Sequence, residues 1–246
     1  MNVPRTFNLS GFANRLRLQS RHIKLAGLIE KAVNLFSLHS DMMMAAESIK
    51  ALSALMSTPA DPNDHQRLIT EQALMNHAIV LYVRATKTRS KIRAGFDLRS
   101  RFTKGQKDSH QELCDVRDDA IAHFGVGGSY SGEWQSELAI LQVSNRGGEA
   151  LPAVVARRQT FDRLLIERAS DQIDLAREML RVAYDETLLS VTYEINKVVV
   201  ADPQFRKELE QHPLNLDVFM KSVNAADAVR ASRRPGQIAS GSIRHA

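Results

Sequence analysis

The sequence predicts a mainly α-helical protein, a helical bundle with an inserted β-hairpin and additional peripheral helices. A stripe of Phe161, Leu165, Ala169, Ile173, Ala176, Leu180, Ala183, Thr187, Val191 and Ile195 runs at helical spacing through one long segment. The run Ala78 to Val83 is apolar all round, as expected at a bundle's centre. Strand-like alternation is confined to the stretch between Trp134 and Gln159.

Leu25, Leu28, Ile29, Ala32, Val33 and Phe36 place a first helix over about Phe12 to Leu38. Ser40 or Asp41 is the expected cap of a second, which carries Met44, Ile49, Leu52 and Leu55 and ends before Pro59 and Pro62. A third starts near Asp64, with Ile69, Ala73, Leu74, His77, Ala78 and Leu81 on one face. Next come a basic loop containing Gly95 and Gly105, then a fourth helix from about Ser109 to Phe124, stopped by Gly125, Gly127 and Gly128.

In the alternating stretch Leu138, Ile140 and Gln142 oppose Ala139, Leu141 and Val143, and Asn145 to Gly148 is turn chemistry, so residues 137–158 read as a hairpin. Pro152 puts its second strand on an edge, because proline donates no ladder hydrogen bond. The long helix covers Thr160 to about Val200 and is long enough to bridge two subunits. Asp202-Pro203 pairs an N-cap with a first-turn proline, and another helix is expected from Leu216 to Ala231. The expected organisation is a single helical domain over residues 1–232, with a core at about 64–200 and a disordered tail at 233–246.

Of 246 residues, 43% are hydrophobic and 25% charged, which suits a folded body. Cys114 is the only cysteine, so one chain can form no internal disulfide and no multi-thiolate metal site. The longest apolar run is far short of a bilayer span, and Met1 to Arg15 has no apolar core of signal-peptide length, so a cytoplasmic protein without a membrane partner is expected. The net charge is +5, yet Arg84, Lys87, Arg89, Lys91, Arg93, Arg99, Arg101, Lys104 and Lys107 face only Asp97 within their own segment. These nine are the candidate RNA-binding residues, with Tyr82 and Phe124 as nearby stacking surfaces. A solvated helix end and loop is the plainer alternative.

The segment Arg117-Asp118-Asp119-Ala120-Ile121-Ala122-His123 carries the candidate chemistry. With Leu113, Val116, Ala120 and Phe124 facing the core, Arg117, Asp118, Asp119 and His123 share the polar surface. His123 lies near the expected helix C-terminus, where carbonyl dipoles and Asp119 four residues earlier both favour an imidazolium. Arg117 and His123 are separated by about 600° around an ideal helix, so they meet only if the arginine sweeps across or a second subunit completes the site.

This segment resembles the motif of HEPN (higher eukaryote and prokaryote nucleotide-binding) proteins: arginine, a polar residue, then histidine after four to six intervening positions. Here five intervene, Asp118 is the polar residue and small Ala122 precedes the histidine. Arg15 and Arg17 before His22, and Arg206 before His212, repeat the interval, but Leu16, Leu18 and Lys207 follow those arginines.

The resemblance implies a helical bundle that pairs as a homodimer so that two motifs line one cleft, cleaving RNA without metal or cofactor. It also implies a defence or toxin-type setting, in which a regulatory protein partner is possible. Catalytic roles fall to Arg117, Asp118 and His123: His123 moves protons, Arg117 holds the phosphate and Asp118 orients them, giving a 2′,3′-cyclic phosphate. The alternative is a non-catalytic helical module that binds nucleic acid, nucleotide or a protein partner.

Two metal readings come from spacing alone: His110, Cys114 and Asp118 on one side of a helix, and the acids Glu112, Asp115, Asp118 and Asp119 as a magnesium site. Gly125 to Gly128 follows a helix, which is the wrong context for a dinucleotide fingerprint. Glu71 and His77 read as a rim charge and a satisfied, half-buried histidine.

Overall fold

The computed structural model describes residues 5–59, 61, 64–87, 94–118, 134–142, 150–158 and 163–231, and most of them are helical. In chain order the elements are α1 (Leu9–Leu18), α2 (Ile23–Met56), α3 (His65–Thr86), α4 (Lys104–Asp115), β1 (Trp134–Gln142), β2 (Ala150–Arg158), α5 (Arg163–Ala201), α6 (Pro203–Glu210), α7 (Leu216–Met220) and α8 (Val223–Ala231). They group into two compact units: Met1–Ser37, Lys91–Ala94 and Met179–Ala246 form the first, Leu38–Ser90 and Gly95–Glu178 the second. Helices α2 and α5 contribute to both. Among the described residues no helix is long and apolar enough to cross a membrane.

In the first unit Phe12, Ala13 and Leu16 of α1 join Leu25, Ala26, Ile29 and Ala32 of α2, Val191 of α5, and Phe205 and Leu209 of α6 in one buried cluster. The chain breaks between α1 and α2 at residues 19–22, where a single helix is expected from the apolar pattern. Ser20 and His22 take left-handed backbone conformations there, with φ of 53° and 48°, a region that non-glycine residues seldom occupy. Asp202 holds the break. Its carboxylate accepts from Arg21 at 2.5 Å and lies 3.2 Å from His22 Nε2, while its other oxygen caps α6 by accepting from the Gln204 and Phe205 N–H groups. Thus the expected cap forms and also acts as a tertiary clamp.

The second unit buries Leu38, Met42, Ala45, Ile49 and Leu52 of α2, Met75, Ala78, Ile79, Leu81 and Tyr82 of α3, Leu113 of α4, and Leu165, Ala169, Ile173 and Ala176 of α5. The expected helix start at Ser40 or Asp41 is absent, because α2 continues through both positions. Asp41 instead accepts from the Arg84 guanidinium at 3.0 and 2.5 Å. A tertiary ion pair has taken the side chain that would otherwise cap.

Helix α3 begins where expected, with Asp64 accepting from the Arg67 N–H at 2.9 Å. The Arg67 side chain donates to the Leu55, Thr58 and Pro59 carbonyls, the Thr58 hydroxyl and Glu71, so it caps the end of α2 from the start of α3. The Leu55 carbonyl also accepts from the Thr58 N–H at 3.2 Å and the Thr58 hydroxyl at 2.7 Å, so Arg67 adds to an already tightened last turn. Replacing Arg67 with methionine keeps the stem and removes the donors, and is expected to lower stability by roughly 2–3 kcal/mol, measured by urea unfolding.

Strands β1 and β2 pair antiparallel from Trp134 opposite Arg158 to Gln142 opposite Ala150, with Pro152 opposite Ile140. Helix α5 matches the long apolar stripe. The last predicted helix divides at Lys221, whose φ of 47° ends α7 in a left-handed cap before α8 begins. The tail at 233–246 lies outside the described residues.

Candidate functional site

The site elements belong to the second unit. Helix α3 ends at Lys87, whose N–H donates to the Val83 carbonyl at 2.8 Å. Helix α4 opens earlier than the apolar pattern indicates, at Lys104, because Thr103 and Gln106 form a reciprocal capping box. Its far end widens into a π-type turn over residues 116–118. Such turns interrupt regular helical bonding and recur at functional sites.

Arg117 and Asp118 lie in that turn. Asp118 accepts from Arg117 at 2.5 Å and from Lys87 Nζ at 2.8 Å. All three side chains remain partly exposed. Hydrogen bonds from Lys87 and Arg117 hold the Asp118 carboxyl below its ordinary range, and the same contact raises Lys87. An arginine and a lysine from two helices are thus gathered around one carboxylate at the surface. His123 and Asp119 lie outside the described residues, as do Phe124 and the glycines after it.

Beside this cluster is a cleft of about 200 Å³ lined by Thr86, Lys87, Gly95, Phe96, Asp97, Arg99, His110, Gln111 and Cys114. Behind it runs a buried polar chain: Gln172 Nε2 donates to the Tyr82 hydroxyl at 3.1 Å, and that hydroxyl is 2.8 Å from His110 Nδ1. The Tyr82 hydroxyl accepts from Gln172 and keeps one proton and one lone pair for its contact with His110 Nδ1. His110 Nε2 is 3.8 Å from Cys114 Sγ. Burial pushes the Cys114 pKa up to about 11, so the thiol keeps its proton beside the imidazole. The pair is therefore no nucleophilic dyad.

Burial, then the charges of Arg99 and Lys87, lower the His110 pKa from its ordinary 6.5. Below that value the unfolded chain binds a proton that the folded chain refuses, so stability falls with pH until the depressed folded value is reached. Wild type is expected to lose stability as pH drops through about 6.5, and His110→Gln, which keeps an acceptor for Tyr82, to lose less. Urea unfolding across a pH series measures the difference.

The other predicted basic residues divide by environment. Arg84 is committed to Asp41. Arg99 is exposed at the cleft, Arg101 stacks over the Phe96 ring at 4.8 Å, and Lys104 and Lys107 are exposed on the first turns of α4. Cations there oppose the helix dipole, so their field adds to that of the helix N-terminus. Arg89, Lys91 and Arg93 lie outside the described residues.

Neither metal reading is supported by the geometry. His110 is committed to Tyr82, Cys114 keeps its proton, and Asp118 is held by two cations. Glu112 accepts both arms of Arg168 at 2.8 and 2.7 Å, and Asp115 accepts from Gln111 at 2.8 Å. Among the described residues no group of three or more His, Cys, Asp or Glu is placed to hold a metal.

Glu71 pairs with Arg67, and His77 Nδ1 lies 2.8 Å from Ser48 Oγ. Ser48 donates to the Met44 carbonyl at 2.9 Å, so its proton is engaged in the helix and is not offered to His77. The Tyr82, His110 and Gln172 chain is the part that sequence reasoning missed. Its one linear signal is a glutamine beside Ile173 in the α5 stripe.

No family model, curated protein or solved structure matches the chain. The likeness to HEPN proteins therefore rests on the residues from Arg117 to His123.

Proposed function

We propose that the protein is a metal-independent endoribonuclease of the HEPN type, acting in the cytoplasm with a site built from Arg117, Asp118 and His123 and completed by a second copy. The observation that carries this reading is the Asp118 carboxylate, which joins the motif's Arg117 to Lys87 of the basic segment at the surface. Asp118 occupies the family's polar position and orients the guanidinium, as that position requires.

In the reaction the 2′-oxygen attacks the adjacent phosphorus while His123 takes its proton. The bond from phosphorus to the 5′-oxygen breaks, that oxygen takes a proton from the second copy's motif or from water, and a 2′,3′-cyclic phosphate remains. Arg117 neutralises charge developing on the non-bridging oxygens, with Lys87 adding to the field. Arg99, Lys104 and Lys107 hold flanking phosphates.

The test is cleavage of a mixed-sequence RNA in EDTA by wild type, Arg117→Ala and His123→Ala, with folding checked by thermal melt. Wild type is expected to cut and both folded variants to fail. An inert wild type, or variants that cut equally well, refutes the reading. The cleft at Lys87, Arg99 and His110 favours a second reading, a module that binds phosphate without cleaving. Its signature is RNA left intact but bound, with affinity that drops steeply as salt rises.

A further inference from the structure

We propose that the cleft between α3, α4 and residues 95–99 seats one guanine base of a single-stranded RNA, beside the phosphate that Arg117 receives. The inference rests on the ribonuclease reading for the path of the strand, while the base contact is argued from the cleft alone. The cleft measures about 200 Å³. Sites that enclose whole drug-sized ligands run to ~300–1,000 Å³, so this one has room for a single ring system.

Its wall carries a stacking surface. Phe96 is half-buried there, and Arg101, which lies outside the cleft, covers its ring at 4.8 Å. A base laid on the rest of the ring completes a stack of base, ring and guanidinium, the mode in which unpaired RNA bases are held. Tyr82, the stacking residue expected from the sequence, is fully buried and is instead a link in the polar chain behind the cleft. That chain ends at His110, only 7% exposed, whose ring forms part of the cleft floor. Buried, hydrogen-bonded chains hold their members in one arrangement, so the floor is fixed before a ligand arrives.

The groups at the rim select the base. Asp97 is the only acid between Arg84 and Lys107. A carboxylate there repels phosphate but accepts from ring N–H and amino groups. The bond it takes from the Ser100 N–H at 3.1 Å uses one of its several acceptor positions. Gln111 donates its Nε2 to Asp115, so its carbonyl oxygen is the end left for a ligand. Of the four bases, guanine alone presents a ring N–H and an amino group side by side, a donor pair that one carboxylate accepts with both oxygens. The sugar and phosphate then lie toward Arg117. Lys87 lines the cleft and bonds Asp118, and Cys114 on the floor precedes Asp118 by about one helical turn.

The test is binding of four fluorescent 2′-O-methyl hexanucleotides by the full chain in EDTA. They are uridine throughout except at one central position, which is guanosine, adenosine, cytidine or uridine. Wild type is expected to hold the guanosine strand roughly tenfold more tightly than the others, the discrimination of one bidentate pair. Asp97→Asn keeps an acceptor for the Ser100 N–H, and so the local fold, but replaces one acceptor oxygen by a donor. Losing a negative charge tightens every strand, so the ratio between strands is the readout. The guanosine preference should vanish, and adenosine, which matches an amide, should lead. Phe96→Ala should weaken the guanosine strand about tenfold, with thermal melts to confirm folding.

Four strands bound alike by wild type, or a guanosine preference unchanged in Asp97→Asn, overturn the proposal. So does guanosine monophosphate alone binding more tightly than the strand, which would make the cleft a free-nucleotide site. These strands offer no 2′-hydroxyl, so the ribonuclease reading fails separately. A guanosine preference without cleavage of any RNA supports the base site, and cleavage with no preference among the strands refutes it.

Discussion

Alanine in place of Phe12 is expected to destabilise the first unit by about 3–5 kcal/mol, the cost of removing a large aromatic side chain from a closed core. Phe12 is fully buried, meets the Phe205 ring edge-on at 5.0 Å and lies 5.3 Å from the His212 ring. Little can move in to fill the space, because the chain entering α1 is tied down. The Asn8 N–H donates to the His212 carbonyl at 2.8 Å, and the Leu214 N–H donates to the Thr6 carbonyl at 2.9 Å. Val218→Ala, at an exposed position of α7, should cost under about 0.5 kcal/mol and serves as the control. Urea unfolding of both variants reads the contrast.

Alanine at His123 is expected to reduce RNA cleavage by about 10²–10⁴-fold, the range that a positioned proton carrier contributes. Binding should change far less, since the cations proposed to hold phosphate remain. Arg117→Lys separates charge from geometry. It preserves the positive charge beside Asp118 but loses the planar fork that pairs two oxygens at once. Its rate should therefore fall between those of wild type and Arg117→Ala. The comparison is made in initial rates on one RNA, with binding measured in parallel on a 2′-O-methyl strand.

The features legible in the sequence depend on local rules. Asp64 and Asp202 cap helices because short carboxylates there reach the N–H groups of the following turn, whatever the rest of the chain does. The hairpin follows from alternation around Asn145-Arg146-Gly147-Gly148, and α5 follows from its stripe.

What stayed hidden depends on partners distant in sequence. Nothing in Gln19-Ser20-Arg21-His22 marks a helix break, for it has neither glycine nor proline. His22 and its neighbour Arg21 are held by Asp202, some 180 positions away. Asp41 has the composition of a cap, yet a basic residue on α3 claims it. The Tyr82, His110 and Gln172 chain joins three helices and cannot be read from any one of them. At the candidate site, the resemblance selected Arg117 and Asp118, but only the fold brings Lys87 to the same carboxylate.

The proposed chemistry depends on a ribose 2′-hydroxyl and on no metal. The most direct test is therefore a DNA strand carrying a single ribonucleotide, incubated with the full chain in EDTA. One cut is expected, immediately 3′ of the ribose, leaving a 2′,3′-cyclic phosphate and a 5′-hydroxyl. A strand left intact while all-RNA is cut only after magnesium is added, or ends bearing a 3′-hydroxyl and a 5′-phosphate, would contradict it.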